Sequence, residues 1–209
     1  DRLPNTLLLG GVALLMSLVI AIPIGVISAL KRYTLVDYVL STLALVGISV
    51  PVFWVALLLL QVFAIQFNWL PAVGMHSVRE QYEGWDRVVD VLRHMILPAI
   101  VLSLAQTASW SRYQRSALLE VLGQDYIRTA RAKGARERRV LVVHALRNSL
   151  IPMVTLIGLS VPSIVTGAFI TETIFGWPGM GRLGVESING RDYPIIMAVT
   201  MLSAILIVA

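Results

Sequence analysis

The run GWPGMGRL at 176–183 is the nearest approach this chain makes to a loop that handles phosphate. A phosphate-binding loop, G-x-x-x-x-G-K-[ST], cradles phosphates with backbone N–H groups, reaches them with its lysine and holds magnesium through the hydroxyl. Here Arg182 stands at the lysine position, and Leu183 has no hydroxyl to offer. The run reads instead as a tight turn re-entering a membrane. No other candidate ATP site appears, so ATP and magnesium are not expected on this chain. His76, His94 and His144 are scattered, whereas a metal site needs several convergent ligands. No nucleophile–base pair is visible, so neither a metal ligand nor a catalytic residue is assigned. Glu172, beside an apolar run, reads as an interfacial charge rather than a proton relay.

Polar but uncharged side chains inside apolar runs are a different signal. Ser103, Gln106 and Thr107, with Trp110, lie in one run, and Thr155, Ser163 and Thr166 in another. They suit a pathway that passes a zwitterionic solute without trapping it. Hydrogen bonding between packed helices accounts for such residues equally well. Both readings stay open.

These residues sit on an unusual background. The chain of 209 residues is 57% hydrophobic and only 14% charged, with mean hydropathy +0.79. A soluble domain is about a quarter charged, and here there is too little charge to cover a surface of this size. A helix needs about 20 mostly apolar residues to cross a bilayer. Five runs qualify as spans: 7–30, 38–67 with Pro51 midway, 95–110, 150–170, and 193–209. The expectation is an all-α polytopic membrane bundle forming one domain over 1–209. The chain starts at Asp1 rather than Met and ends inside an apolar run. It is therefore expected to be a segment of a longer protein, with five spans present and the last cut short. There are no cysteines, so disulfides are excluded.

The net charge of +5 and pI near 10.0 follow from where the basic residues fall. The segments 31–37 and 111–149 hold eleven of the 17. The 68–94 segment balances Arg79, Arg87 and Arg93 against Glu80, Glu83, Asp86 and Asp90. The positive-inside rule puts the two basic segments in the cytoplasm, where anionic membrane lipid attracts them. No nucleic-acid partner is needed to explain the charge.

The segment 111–149 carries local structure as well. Asp125 suits the cap of a helix over 126–133, and Gly134 suits its left-handed end. Ile127, Ala130 and Gly134 share one face, open to close approach by another surface, with Arg128 and Arg131 on a different one. A second helix over 137–148 mixes Val140, Leu141 and Val143 with Arg138, Arg139 and Arg147. Together they form a cytoplasmic platform, or else an amphipathic pair lying in the lipid headgroups.

The run DYIRTARAKGARERRVLVVHALRNSLIP at 125–152 resembles the cytoplasmic loop of binding-protein-dependent ABC importer permeases. In that family the loop has an alanine-rich turn, a glycine, and a later leucine-proline pair. Here Ala130 matches an alanine of the turn, Gly134 the glycine and Leu146 the leucine. Arg128 replaces the acidic residue that opens the motif, and Arg147 replaces the proline. These departures, with HALRN at 144–148, resemble the dipeptide and oligopeptide branch, which also contains nickel and glutathione importers. GISVPVFW at 47–54, NWLPAVG at 68–74, ETIFGWPGMGRL at 172–183 and RDYP at 191–194 resemble that branch too.

The resemblance implies a permease subunit of a bacterial or archaeal inner membrane, forming the pathway of a di- or oligopeptide importer. Members of that family usually have six spans, so the resemblance implies five of six here, with the first missing. It implies a short coupling helix that docks on an ATPase subunit. That role would fall to Asp125, Tyr126, Ile127, Arg128, Ala130, Arg131, Lys133, Gly134, Arg138, His144, Leu146 and Arg147. Implied partners are a second, paralogous permease, two ATPase subunits that carry ATP and Mg, and an extracytoplasmic substrate-binding protein. A nickel-chelate or glutathione importer is the alternative within the branch. A self-contained secondary transporter would need intramembrane charges or filter-like backbone, which the spans scarcely offer. An intramembrane enzyme lacks paired catalytic groups.

Overall fold

The computed structural model describes residues 2–77, 82–166 and 168–208, without the side chains of 161–163, 165–166 and 206–208. Every regular element among the described residues is helical. Long apolar runs give that result in a bilayer, where a helix satisfies its own backbone polar groups. The first run forms α1, Arg2–Leu30, which carries Pro23 inside it.

The second run breaks in two. α2, Leu35–Ser49, and α3, Val52–Leu59, are separated by a break at residues 50–51. Pro51 supplies the reason: it has no N–H to donate and pushes the residue before it out of helical geometry. α3 then runs on into a π-helical stretch, Leu60–Gln66. The third run is much longer than its apolar centre. α4 spans Gly84–Leu122, 39 residues, where apolarity marked only 95–110. Its flanks carry charge on one side only, so they remain helical while dropping out of any count of continuous apolar residues.

After α4 comes α5, Asp125–Ala132. The stretch 137–166 then proceeds through α6, Glu137–Arg139, a π-helical segment Val140–Leu146, α7, Arg147–Ser149, and α8, Ile151–Thr166. The expected separate helix over 137–148 is thus continuous with the span that follows, apart from a turn at Leu150. The chain closes with α9, Phe169–Ile174, α10, Met180–Asn189, and α11, Tyr193–Val208. Arg2–Leu30, Gly84–Leu122 and Glu137–Ser160 are each long and apolar enough to cross a membrane. Leu35–Ser49 and Val52–Gln66 qualify only when taken together, as a broken span or a re-entrant loop, and Tyr193–Ile205 is a shorter apolar helix.

The chain divides into two compact units. One comprises 1–16, 50–103 and 160–209. Its core has two clusters, Ala56, Leu97, Val101 and Phe175 in one, and Leu9, Met95, Ala99 and Trp177 in the other. The other unit comprises 17–49 and 104–159. It packs Ala29, Leu118, Ile127, Val140 and Ala145 together. In this unit α1 and α4 approach closely at Gly25, where a Cβ would meet the Ser111 carbonyl oxygen at 2.7 Å. Small residues at helix contacts allow this approach in membranes. Large apolar side chains such as Leu15, Val19, Leu43 and Leu159 point outward, the reverse of a water-soluble surface and suited to lipid.

Candidate docking platform on the basic loop

α5 begins one residue earlier than the sequence suggested. Gln124 is its N-cap residue, in extended conformation, and Asp125 is the first helical residue. Asp125 therefore does not cap the helix; its exposed carboxylate lies 3.6 Å from the Arg128 guanidinium, a surface pair. Acid in the first turn still suits the helix dipole.

The other end closes as expected. Gly134 has φ +77°, the left-handed conformation that glycine adopts without steric cost. Its N–H donates to the Arg131 carbonyl at 2.9 Å, and the Ala135 N–H reaches back to the Ala130 carbonyl at 3.2 Å. These two bonds make a complete Schellman closure, satisfying carbonyls that a helix end would leave open. Arg131 also pairs with the start of the next helix. It donates from Nε and Nη2 to the two Glu137 carboxylate oxygens at 3.1 and 2.7 Å. That carboxylate raises the Arg131 guanidinium above its ordinary pKa.

Ile127 is 0% exposed and packs with Leu118, Val140 and Ala145. Ala130 and Ala135 lie half-buried on the same cluster. The face expected to receive another surface is thus turned inward at Ile127 and Ala130, because the π-helical segment and α4 offer an apolar bed for it. Burying an isoleucine is worth roughly 1.5–3 kcal/mol, enough to hold so short a helix in place. The outward side consists of Tyr126, Arg128, Thr129, Arg131, Lys133 and Gly134. Tyr126 Oη accepts a hydrogen bond from Asn148 Nδ2 at 3.1 Å, and Asn148 Nδ2 also reaches the His144 carbonyl at 2.8 Å. His144 and Leu146 are half-buried; Arg138 and Arg147 are exposed. One unit therefore gathers all twelve of these residues, with Ile127 as the anchor and the charges outside.

The candidate pathway residues are placed less uniformly. Ser103 is buried, its Oγ donating to the Ile100 carbonyl at 2.9 Å. Gln106 Oε1 lies 3.4 Å from Ser17 Oγ, which donates to it. Thr107 Oγ1 is buried without a partner among the described residues. Thr155 is exposed on α8. Ser163 and Thr166 lie outside the described side chains.

Two polar sites escaped the sequence reading. Asp37 opens α2 and binds Arg115 of α4 through two hydrogen bonds of 2.8 and 2.7 Å. Ser28 also donates to its carboxylate, and the Tyr33 N–H does so at 3.0 Å. The side chains are 4% and 25% exposed. The only forewarning was an acid immediately before a span, with its partner 78 positions away. Gln114 is fully buried nearby in sequence and donates from Nε2 to Ser149 Oγ at 2.9 Å.

Glu172, read from the sequence as an interfacial charge, is 1% exposed and engaged within the chain. Its carboxylate accepts from Thr6 Oγ1 at 2.9 Å and from the Arg182 N–H at 3.0 Å. Thr6 Oγ1 accepts in turn from the Met180 N–H at 2.7 Å. Asn5 Nδ2 donates to the Pro178 carbonyl, and Trp177 Nε1 to the Asn5 carbonyl, both at 3.0 Å. The turn between α9 and α10 thus spends on the chain itself the N–H groups that a phosphate loop would aim at a ligand. Gly179 leaves the carboxylate room, since a Cβ there would lie 2.4 Å from it; a Cβ at Gly181 would meet the Phe169 backbone at 2.9 Å.

Residues 21–209 match the family described as binding-protein-dependent transport system inner membrane component. The oligopeptide transport system permease protein AppB of Bacillus subtilis is 47% identical over 99% of this chain and 64% of its own length. The dipeptide transport system permease protein DppB of Escherichia coli is 41% identical, over 99% and 66%. The chain thus spans just under two thirds of the length of these relatives. A chain from a structure of inward facing conformations of the MetNI methionine ABC transporter has the same fold. Its TM-score is 0.76 at 17% identity, over 99% of this chain and 88% of that one.

Proposed function

The chain belongs to the family of binding-protein-dependent transport system inner membrane components, and from that premise we propose that it is a permease subunit of an ATP-driven importer of di- or oligopeptides. Relatives named as oligopeptide and dipeptide permeases, similar along nearly the whole chain, support the substrate class. The platform supports the mechanism and carries the proposal. α5 is fixed by a buried Ile127 and closed by a left-handed glycine, while its charged side stays outside. A partner that grips the outer side moves Ile127, and Ile127 moves the helices it packs against.

In this reading two ATPase subunits carry ATP and Mg and seat the platforms of two permease chains, the second a paralogue. A substrate-binding protein delivers peptide on the other face. ATP binding and release favour different orientations of the spans, a two-state change in which each ligand selects one state. Asp125, Tyr126, Arg128, Arg131, Lys133 and Gly134 meet the ATPase; Ile127, Ala130, His144 and Leu146 transmit. Ser103, Gln106, Thr107, Thr155, Ser163 and Thr166 are the candidate pathway residues.

The test uses the assembled complex and exploits the lack of cysteine in this chain. Thr129→Cys, on the outer side of α5, should cross-link to a cysteine on the ATPase subunit, with a yield that changes when ATP binds. No cross-link in a complex that still takes up peptide would sink the docking role. Uptake of a nickel chelate or glutathione, but of no peptide, would change the substrate and leave the docking role standing.

A further inference from the structure

Arg115 is committed to Asp37, but its neighbour one turn earlier on α4 is not. Arg112 is exposed and has no carboxylate partner among the described residues. It lines two adjoining cavities of about 370 and 360 Å³, which share Arg112 and Ser116. Both volumes fall in the roughly 300–1,000 Å³ range of small-ligand sites. Ser109 and Tyr113 complete the polar wall of the first, and Tyr38 and Ser41 that of the second. Ile48 and Leu45 supply an apolar side to each.

The charge of the groove is one-sided. Asp37 is its one acid, and Arg115, Ser28 and the Tyr33 N–H already occupy that carboxylate. An anion entering the groove therefore meets a free guanidinium and several hydroxyls, with no bare carboxylate to repel it. Lys31 and Arg32 are exposed in the same unit, and the Arg32 guanidinium lies 4.3 Å from the centre of the Tyr33 ring. Arg112 closes the apolar centre of its span, at the end that the basic residues place toward the cytoplasm. Anionic headgroups lie at that depth, and basic pockets between spans take them. Tyrosines belong there too, with the ring in the apolar edge and the hydroxyl in the headgroups. Below them α2 exposes Leu43, Leu45 and Val46, a surface for an acyl chain.

We propose that the groove between α2 and α4 around Arg112 binds the phosphate of an anionic phospholipid. Arg112 is the cation, Ser109 and Ser116 are hydroxyl donors, and Leu45 and Ile48 are the floor beneath the headgroup. The inference is independent of what the complete protein transports. A soluble phosphate compound presents the same chemistry, and a peptide carboxylate in transit would also suit Arg112; the apolar surface below the groove favours the lipid.

The test is native mass spectrometry of the full-length chain in its complex, after exchange into mixed phosphatidylglycerol and phosphatidylcholine. The expected result is preferential retention of phosphatidylglycerol, reduced about fivefold in Arg112→Gln. Arg87→Gln, which removes an equal charge from an exposed site at the start of α4, should leave retention unchanged. Equal retention by Arg112→Gln and the unaltered protein, or equal retention of both lipids, would overturn the assignment. So would displacement of the lipid by millimolar inorganic phosphate, which would point to a soluble anion, or by peptide substrate, which would put the groove in the pathway.

Discussion

The α5–α6 and α9–α10 turns each join a pair of helices through glycine, and they use charge in opposite ways. At the α5–α6 turn the charged side chains stand outside, and what is buried is apolar, Ile127. At the α9–α10 turn the buried group is a carboxylate, Glu172, with donors from Thr6 and the Arg182 N–H arranged around it. The difference separates a turn finished by its own chain from one left open to another. A buried carboxylate needs all its partners in place, so such a turn has one arrangement. A turn held by one apolar anchor, with its charged side chains facing out, keeps its shape while those side chains stay accessible.

Glu172→Ala should show the first kind of turn most forcefully. It orphans Thr6 Oγ1 and the Arg182 N–H, at roughly 1–3 kcal/mol for each buried group. A drop of several degrees in the melting temperature of the purified protein is the expected outcome. An unchanged melting temperature would mean that the turn does not depend on its carboxylate.

Ile127→Ala should come next. Truncating a fully buried isoleucine typically costs about 2–5 kcal/mol. If the anchor is local, hydrogen exchange will rise in α5 well before it rises in α9 and α10. Uniform acceleration across both regions would erase the contrast.

Gly134→Val forces a β-branched residue into left-handed backbone, a strain of about 1–3 kcal/mol. Open space surrounds the glycine, so no clash is added. If the proposed function holds, peptide uptake should fall sharply in the assembled complex while ATP hydrolysis persists. Intact uptake would remove Gly134 from the coupling path. The smallest effect is expected from Arg131→Gln, whose partner Glu137 is as exposed as itself. Its melting temperature should match that of the unaltered protein, because exposed pairs contribute little; its affinity for the ATPase subunit should weaken, most visibly at low salt.

The contrast also marks what the sequence could and could not announce. The helix over 126–133 and its left-handed end at Gly134 were legible because caps and glycines act within a few residues. The apolar spans were legible because length and composition act locally too. The burial of Glu172 was not legible, since it depends on Thr6, 166 positions away. The pairing of Asp37 with Arg115 stayed hidden for the same reason. Ile127 was placed on the wrong side of its helix: spacing shows that residues share a face, but only the bed formed by Leu118, Val140 and Ala145 decides where that face points. α4 was too short in the sequence reading because its helical flanks are not continuously apolar.

The gap between α5 and α6 has a practical use. Lys133 and Arg136 stand there, exposed and outside helical geometry, which is what trypsin requires. In sealed vesicles of known sidedness, cleavage at these two bonds should occur only when the protease reaches the cytoplasmic face. The same bonds should resist digestion once a subunit is seated on the platform. A single proteolytic ladder would then report both the sidedness of the chain and the occupancy of its outer face.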